Sequence, residues 1–275
     1  MITKIVISFL FVLSSVAHAS FPLNDATSSP ADKTWQIDEK SFWELIAFVS
    51  DIYKPVFAAV KTPEGESVSW WIEGFWYEKQ ANIFSKKEKV PPYNWNKWTI
   101  QVHGGLARHP FITKDAFTLA ICHQIGHLLG GAPLQDYLTT STEGQADYYA
   151  THVCARKVFG KMEKKRKLIR LGASLSQCDK YFDNTYEQNV CYRTMFASMA
   201  LAEFIKVAAI ERRDTDININ DNYVPKYTTQ LHSTAQCRLD TFVAGHFCDK
   251  LWDDKKIPLN RNSVCRNRPE CWYVP

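Results

Sequence analysis

The segment between Thr113 and Gly130 is the strongest constraint on how this chain can fold. Thr113 can cap a helix start, Asp115 suits the positive N-terminal end, and Gly130 can take the left-handed position that ends a helix. Between them Phe117, Leu119, Ala120, Ile121, Ile125, Leu128 and Leu129 surround the helical axis instead of forming one stripe. A helix that is apolar all round is buried. The rest of the chain has to wrap it, and His123 and His127 then lie inside the protein, on one face and one turn apart.

The flanks supply mixed structure. Asp38 to Tyr53 has the cap and apolar spacing of a first helix, stopped by Pro55. Trp70 to Ile83 and Trp98 to Val102 are aromatic and β-branched and read as strands, separated by the turn-like stretch Lys89 to Asn96. Helices resume at about Thr113, Glu143 and Cys191, Asp214 to Tyr223 is a polar loop, and His232 to Pro275 is cysteine-rich structure of short elements. There is no internal repeat. The class is α+β.

Lys4 precedes the apolar run Ile5 to Leu13, and Ala17-His18-Ala19 has the small-residue pattern of a signal-peptidase site. Residues 1–19 therefore read as a signal peptide, 20–33 as a polar leader and 34–275 as a single domain, exported to the periplasm or secreted. No later apolar stretch is long enough for a transmembrane segment in the mature chain. Eight cysteines fit an oxidising destination. Connectivity is not readable from the sequence: Cys178 with Cys191, Cys237 with Cys248 and Cys265 with Cys271 are near enough to be local staples, and Cys122 is either bridged or a buried free thiol. The net charge of +4 names no partner. One local excess, Arg156 to Arg170, is either a solvated helix face or a docking site for an anionic surface; no nucleic acid is expected as partner.

A buried His-x-x-x-His pair puts two ring nitrogens within reach of one ion. Two core histidines bonded to carbonyls are the plain alternative. A carboxylate favours the metal: Glu143 opens the next helix, with Asp147 one turn later on the same face, placed to accept the outer N–H of a ligand histidine. Thr140-x-x-Glu143 is also a capping box, which needs no ion.

His123-x-x-x-His127 followed by Glu143-Gly-Gln-Ala-Asp147 resembles the gluzincin zinc metallopeptidases that include the CAAX prenyl endopeptidases, heat-shock membrane proteases and periplasmic peptidases of outer-membrane quality control. The stretch around Asn82, the segment Trp98 to Pro110 and His232-x-x-x-x-x-Arg238 extend the resemblance from roughly Asn82 to Asp240. It implies a zincin-like fold with a small, mostly antiparallel sheet, a buried HxxxH helix and a disulfide-braced C-terminal segment. It further implies one zinc ion on His123, His127 and Glu143, Asp147 behind them, His232 as oxyanion donor and Arg238 organising the cleft. The strand Ile100 to Leu106, with Ile100, Val102, Gly104 and Gly105, would be the rim on which an extended peptide or unfolded protein adds.

The chain departs from this family where it matters most. Gln124 stands at the position of the glutamate that takes a proton from the zinc-activated water. An amide cannot hold that proton, and loss of a general base costs on the order of 10²- to 10⁴-fold. Two readings follow: an exported metallopeptidase with impaired peptide-bond hydrolysis, or a pseudo-peptidase that keeps zinc and cleft to bind peptides or a protein partner. His103, His109, Tyr148 and Tyr149 lie in segments that could bring a substitute base.

Overall fold

The structure, a computed structural model, describes residues 17–21, 36–135, 139–163, 176–249 and 268–274, with backbone alone for 17–21. The apolar run Ile5 to Leu13, the polar leader apart from Ser20 and Phe21, and the basic residues Lys164 to Arg170 lie outside the described residues.

The expected buried helix, α3 (Lys114–Leu129), is the centre of the molecule. Every residue from Ala116 to Leu128 is buried. Thr113 caps it by accepting a hydrogen bond from the Ala116 amide. It ends differently from expectation: Gly130 is right-handed at φ −71°, and the left-handed residue is Gly131 at φ 68°. Gly130 is needed for space, because a Cβ there would meet the Gly126 carbonyl oxygen at 2.5 Å.

On one side of α3 stand α1 (Glu39–Ala59) and a sheet of β2 (Val68–Phe75), β3 (Ile83–Val90) and β4 (Trp95–His103), extended by β1 (Ala17–Phe21). The strand order is β1-β3-β4-β2. The sheet is mostly antiparallel; only β2 and β4 run parallel. Helix α1 continues past Pro55, which is exposed, because Phe57 beyond it is buried and stacks on Trp70 at 4.1 Å. Packing there outweighs the lost backbone bond. Strand β3 is charged in sequence, yet its neighbours accept the charges: Glu88 pairs with Lys97 at 3.5 Å, and Lys87 sits over the Trp98 ring at 4.2 Å.

This order corrects the expected peptide rim. β4 is bonded on both edges, to β3 and β2, so it cannot take another strand. Ile100 and Val102 are buried core residues. Gly104 and Gly105 open the short helix α2 (Gly104–Ala107), where a Cβ would meet the Trp76 carbonyl oxygen at 1.9 Å or that of Lys79 at 2.0 Å. Their smallness admits backbone, not substrate.

On the other side of α3 lie α4 (Glu143–Tyr149), a π-helical turn (Ala150–Ala155), α5 (Arg156–Glu163), α6 (Ser176–Tyr181), α7 (Thr185–Ala208) and α8 (Ala235–His246). The disulfides Cys122–Cys154, Cys178–Cys191 and Cys237–Cys271 tie α3 to the π turn, α6 to α7, and α8 to the C-terminal segment. Cys122 is thus not a free thiol, and of the three local staples only Cys178–Cys191 forms. Cys248 is also disulfide-bonded, to a residue outside the described ones. Within the basic run, Arg156 donates to the carbonyls of His246 and Cys248, and Lys157 lies over the Tyr53 ring at 5.2 Å. Those two cations are internal fasteners, not part of an anion-docking surface. No described helix is long and apolar enough to cross a membrane.

Candidate metal centre

Two helices meet at the site with their backbones nearly touching. A Cβ at Gly126, between the two histidines, would lie 2.5 Å from the Ala146 carbonyl oxygen. That closeness lets α4 bring Glu143 and Asp147 against α3. The N-cap of α4 is Thr142, which accepts from the Gln145 amide at 3.4 Å, while Thr140 donates to Gln135. The capping box is therefore not made by Thr140, and the Glu143 side chain turns inward to the histidines.

Their geometry fits a metal. Nε2 of His123 lies 3.0 Å from Nε2 of His127 and 3.2 Å from Oε2 of Glu143; His127 Nε2 is 3.4 Å from Glu143 Oε1. Bonds of roughly 2.0 to 2.1 Å around a tetrahedral ion put ligand atoms about 3.3 Å apart. These three residues form a possible metal site with all members buried.

Each imidazole is held from behind. His127 Nδ1 lies 2.8 Å from the Ser141 carbonyl oxygen, which can only accept, so that nitrogen carries the proton. His123 Nδ1 lies 2.7 Å from Asp147 Oδ1. With Nδ1 protonated in both rings, the two Nε2 lone pairs face each other and the Glu143 carboxylate across a buried gap. A proton or a cation has to sit between them. Glu143 Oε2 and Gln124 Oε1 are buried and, among the described residues, receive no hydrogen bond. An ion and its water would satisfy both.

Behind the histidines lies Arg238, carried by α8, whose cap Thr234 accepts from the Cys237 amide. Its Nε and Nη2 each donate to Asp147 at 2.7 Å, in the bidentate form that suits arginine. Nη1 lies 3.2 Å from His232 Nδ1, and that nitrogen is 3.3 Å from Glu143 Oε2. Burial, with the Arg238 charge beside it, pushes His232 down to about 4, so the ring is neutral near pH 7. Burial by itself would raise Glu143, but His127, His232 and His123 outweigh it and hold the carboxyl well below the usual range.

Families, curated proteins and solved structures were all compared with the chain. None matches it. The centre accordingly stands on its own geometry. His123, His127, Glu143, Asp147, His232 and Arg238 converge as the sequence suggests, with one change: Arg238 is buried and committed to Asp147, so it positions the centre and does not face a substrate. Gln124 is fully buried, its Nε2 donating to the Ile83 carbonyl at 3.3 Å.

The residues considered as substitute bases lie elsewhere. His103 is on the outer sheet face between Phe75 and Phe84, His109 packs on Phe204, Tyr148 on Arg268 and His152, and Tyr149 in the main core. Two contributors escaped the sequence. The Ser141 carbonyl carries no residue-type signal, whereas Gly126, a glycine inside a buried histidine motif, is a legible sign of close backbone approach.

Proposed function

We propose that this protein is an exported, zincin-like metallopeptidase of gluzincin type whose peptide-bond hydrolysis is impaired by Gln124. The convergence of His123 Nε2, His127 Nε2 and a Glu143 oxygen at 3.0 to 3.4 Å, with Ser141 and Asp147 setting the ring tautomers, carries the reading. Zinc fits this nitrogen and carboxylate donor set, and when bound it would supply a Lewis acid that polarises a carbonyl and acidifies water. The chain's own residues do the rest. Asp147, fixed by Arg238, holds the His123 ring in place. His232, neutral by burial, keeps one N–H that it can donate to a carbonyl oxygen. An extended peptide would add along the edge of β3 that β1 occupies, in place of β1, on the strand whose Ile83 carbonyl touches Gln124. The missing function is proton transfer, because the Gln124 amide can orient a water but cannot accept its proton.

A second reading has its own support: Gln124 Nε2 is bonded to Ile83, so the residue joins α3 to β3 as a structural link. A pseudo-peptidase that binds peptides without cutting them would keep that link. The deciding experiment digests a library of unstructured peptides with zinc-supplemented native chain and with Gln124→Glu. The peptidase reading expects cleavage to rise on the order of 10²- to 10⁴-fold in the variant. Cleavage by neither chain, with about one zinc bound to each by elemental analysis, would transfer the case to the binding protein. Folded chain that stays metal-free in excess zinc would remove both.

A further inference from the structure

The strand that borders the metal centre is already paired. β3 has one edge bonded to β4, and its other edge carries β1 in antiparallel register, from Ala17 opposite Lys87 to Phe21 opposite Ile83. The Ile83 end touches Gln124. The Lys87 end reaches across to the loop before Glu143, where its Nζ donates to the Thr139 carbonyl at 2.7 Å. The five residues of β1 thus cover the whole stretch of edge between these two landmarks. A strand added to a sheet edge draws its affinity from main-chain hydrogen bonds.

We propose that Ala17–Phe21 is held in cis on the peptide-docking edge of β3, and that an unattached extended polypeptide docks there, in the same antiparallel sense, only when this segment leaves. The proposal rests on the reading of β3 as the peptide edge. A tethered strand competes at an effective concentration on the order of mM, enough to exclude weak peptides. The expected signal-peptidase cut after Ala19 would remove the residues opposite Ser85, Lys86 and Lys87 and leave only Ser20 and Phe21 paired. That cut would leave most of the edge open.

The test uses full-length, uncut chain and the double variant Ala19→Pro/Ser20→Pro. In an antiparallel pair, neighbouring residues alternate in whether they bond the partner strand, so one of two adjacent prolines always removes a ladder bond. The probe is a fluorescein-labelled peptide with the sequence Ser14 to Pro22, read by anisotropy in EDTA and again with zinc. The double variant is expected to bind it at least roughly tenfold more tightly than the unsubstituted chain. Of its Phe84 to Lys87 amides, the alternate ones that face β1 should exchange hydrogen at least about tenfold faster without peptide and regain protection with it, while those that face β4 stay protected.

Two results would overturn the proposal. Unchanged β3 exchange in the double variant means β1 does not occupy the edge. Fast exchange with no peptide binding means the edge does not dock polypeptide. Made singly, only the proline whose N–H faces β3 should act, and unchanged protection of α3 amides shows that the fold is intact. Neither readout depends on metal content or cleavage, so failure here is distinct from failure of the hydrolytic reading.

Discussion

Asp147 performs two tasks that pull its variants in two directions. It orients His123 and it neutralises Arg238, which is buried. Asp147→Asn is expected to weaken zinc binding by roughly 10- to 100-fold, measured by competition against a chelator. It should also lower stability, because it removes the charged half of a buried bidentate pair and leaves Glu143, 3.6 Å away, as the nearby carboxylate of Arg238. The pairing of Arg238 with Asp147 is what the sequence could not supply, and it makes this substitution more damaging than a ligand-orienting role alone predicts. The pH dependence has a definite sign. Burial by itself raises the Asp147 carboxyl, but Arg238 and His123 outweigh it and hold the group below the ordinary 3.8. A depressed folded-state value contributes stability that is present above 3.8 and lost as pH falls through the lower folded value. Metal-free native chain should therefore lose thermal stability as the pH drops below 3.8, and Asp147→Asn should lack that component of the acid slope.

At the level of elements, α3 was readable and the sheet was not. Apolar residues on every side of one helix have a single solution, burial at the centre, and the structure adopts it. β3 (Ile83–Val90) escaped because its charged run carries no strand signal until Trp98 and Lys97 are known to lie opposite, so the strand reading stops at Ile83; the pairing that makes it a strand is non-local. The middle position of β4 escaped for the same reason. Contact between α3 and α4 gives a direct test. Gly126→Ala forces its new methyl into the Ala146 backbone, which has no flexible side chain to yield. A loss of about 1–3 kcal/mol in chemical denaturation is expected, together with loss of bound zinc. The Cys122–Cys154 bridge, across 32 residues, holds α3 to the π turn. Replacing both cysteines by alanine should lower stability by about 3–4 kcal/mol, read from the urea midpoint.

For the whole molecule, the metal centre is the point at which separately stapled parts converge. Cys237–Cys271 fastens α8, which carries Arg238, to the segment whose Trp272 lies against Gly144 of α4. Zinc at 100 times its dissociation constant should stabilise the native chain by about 2.7 kcal/mol, visible as a fall in melting temperature when EDTA is added. The π turn adds a constraint of another kind. It carries one residue more than the α turn it replaces, and one residue is about 100° of helical rotation. α4 therefore turns Glu143 toward the two histidines while α5, in nearly the same line of chain, faces α7 and the carbonyls of His246 and Cys248. The surplus residue works as a phase shifter between two partners that no uninterrupted α-helix could address together. A chain shortened by one residue between Ala150 and Ala155 could keep Glu143 on the two histidines or Arg156 on its carbonyls, and would have to give up the other.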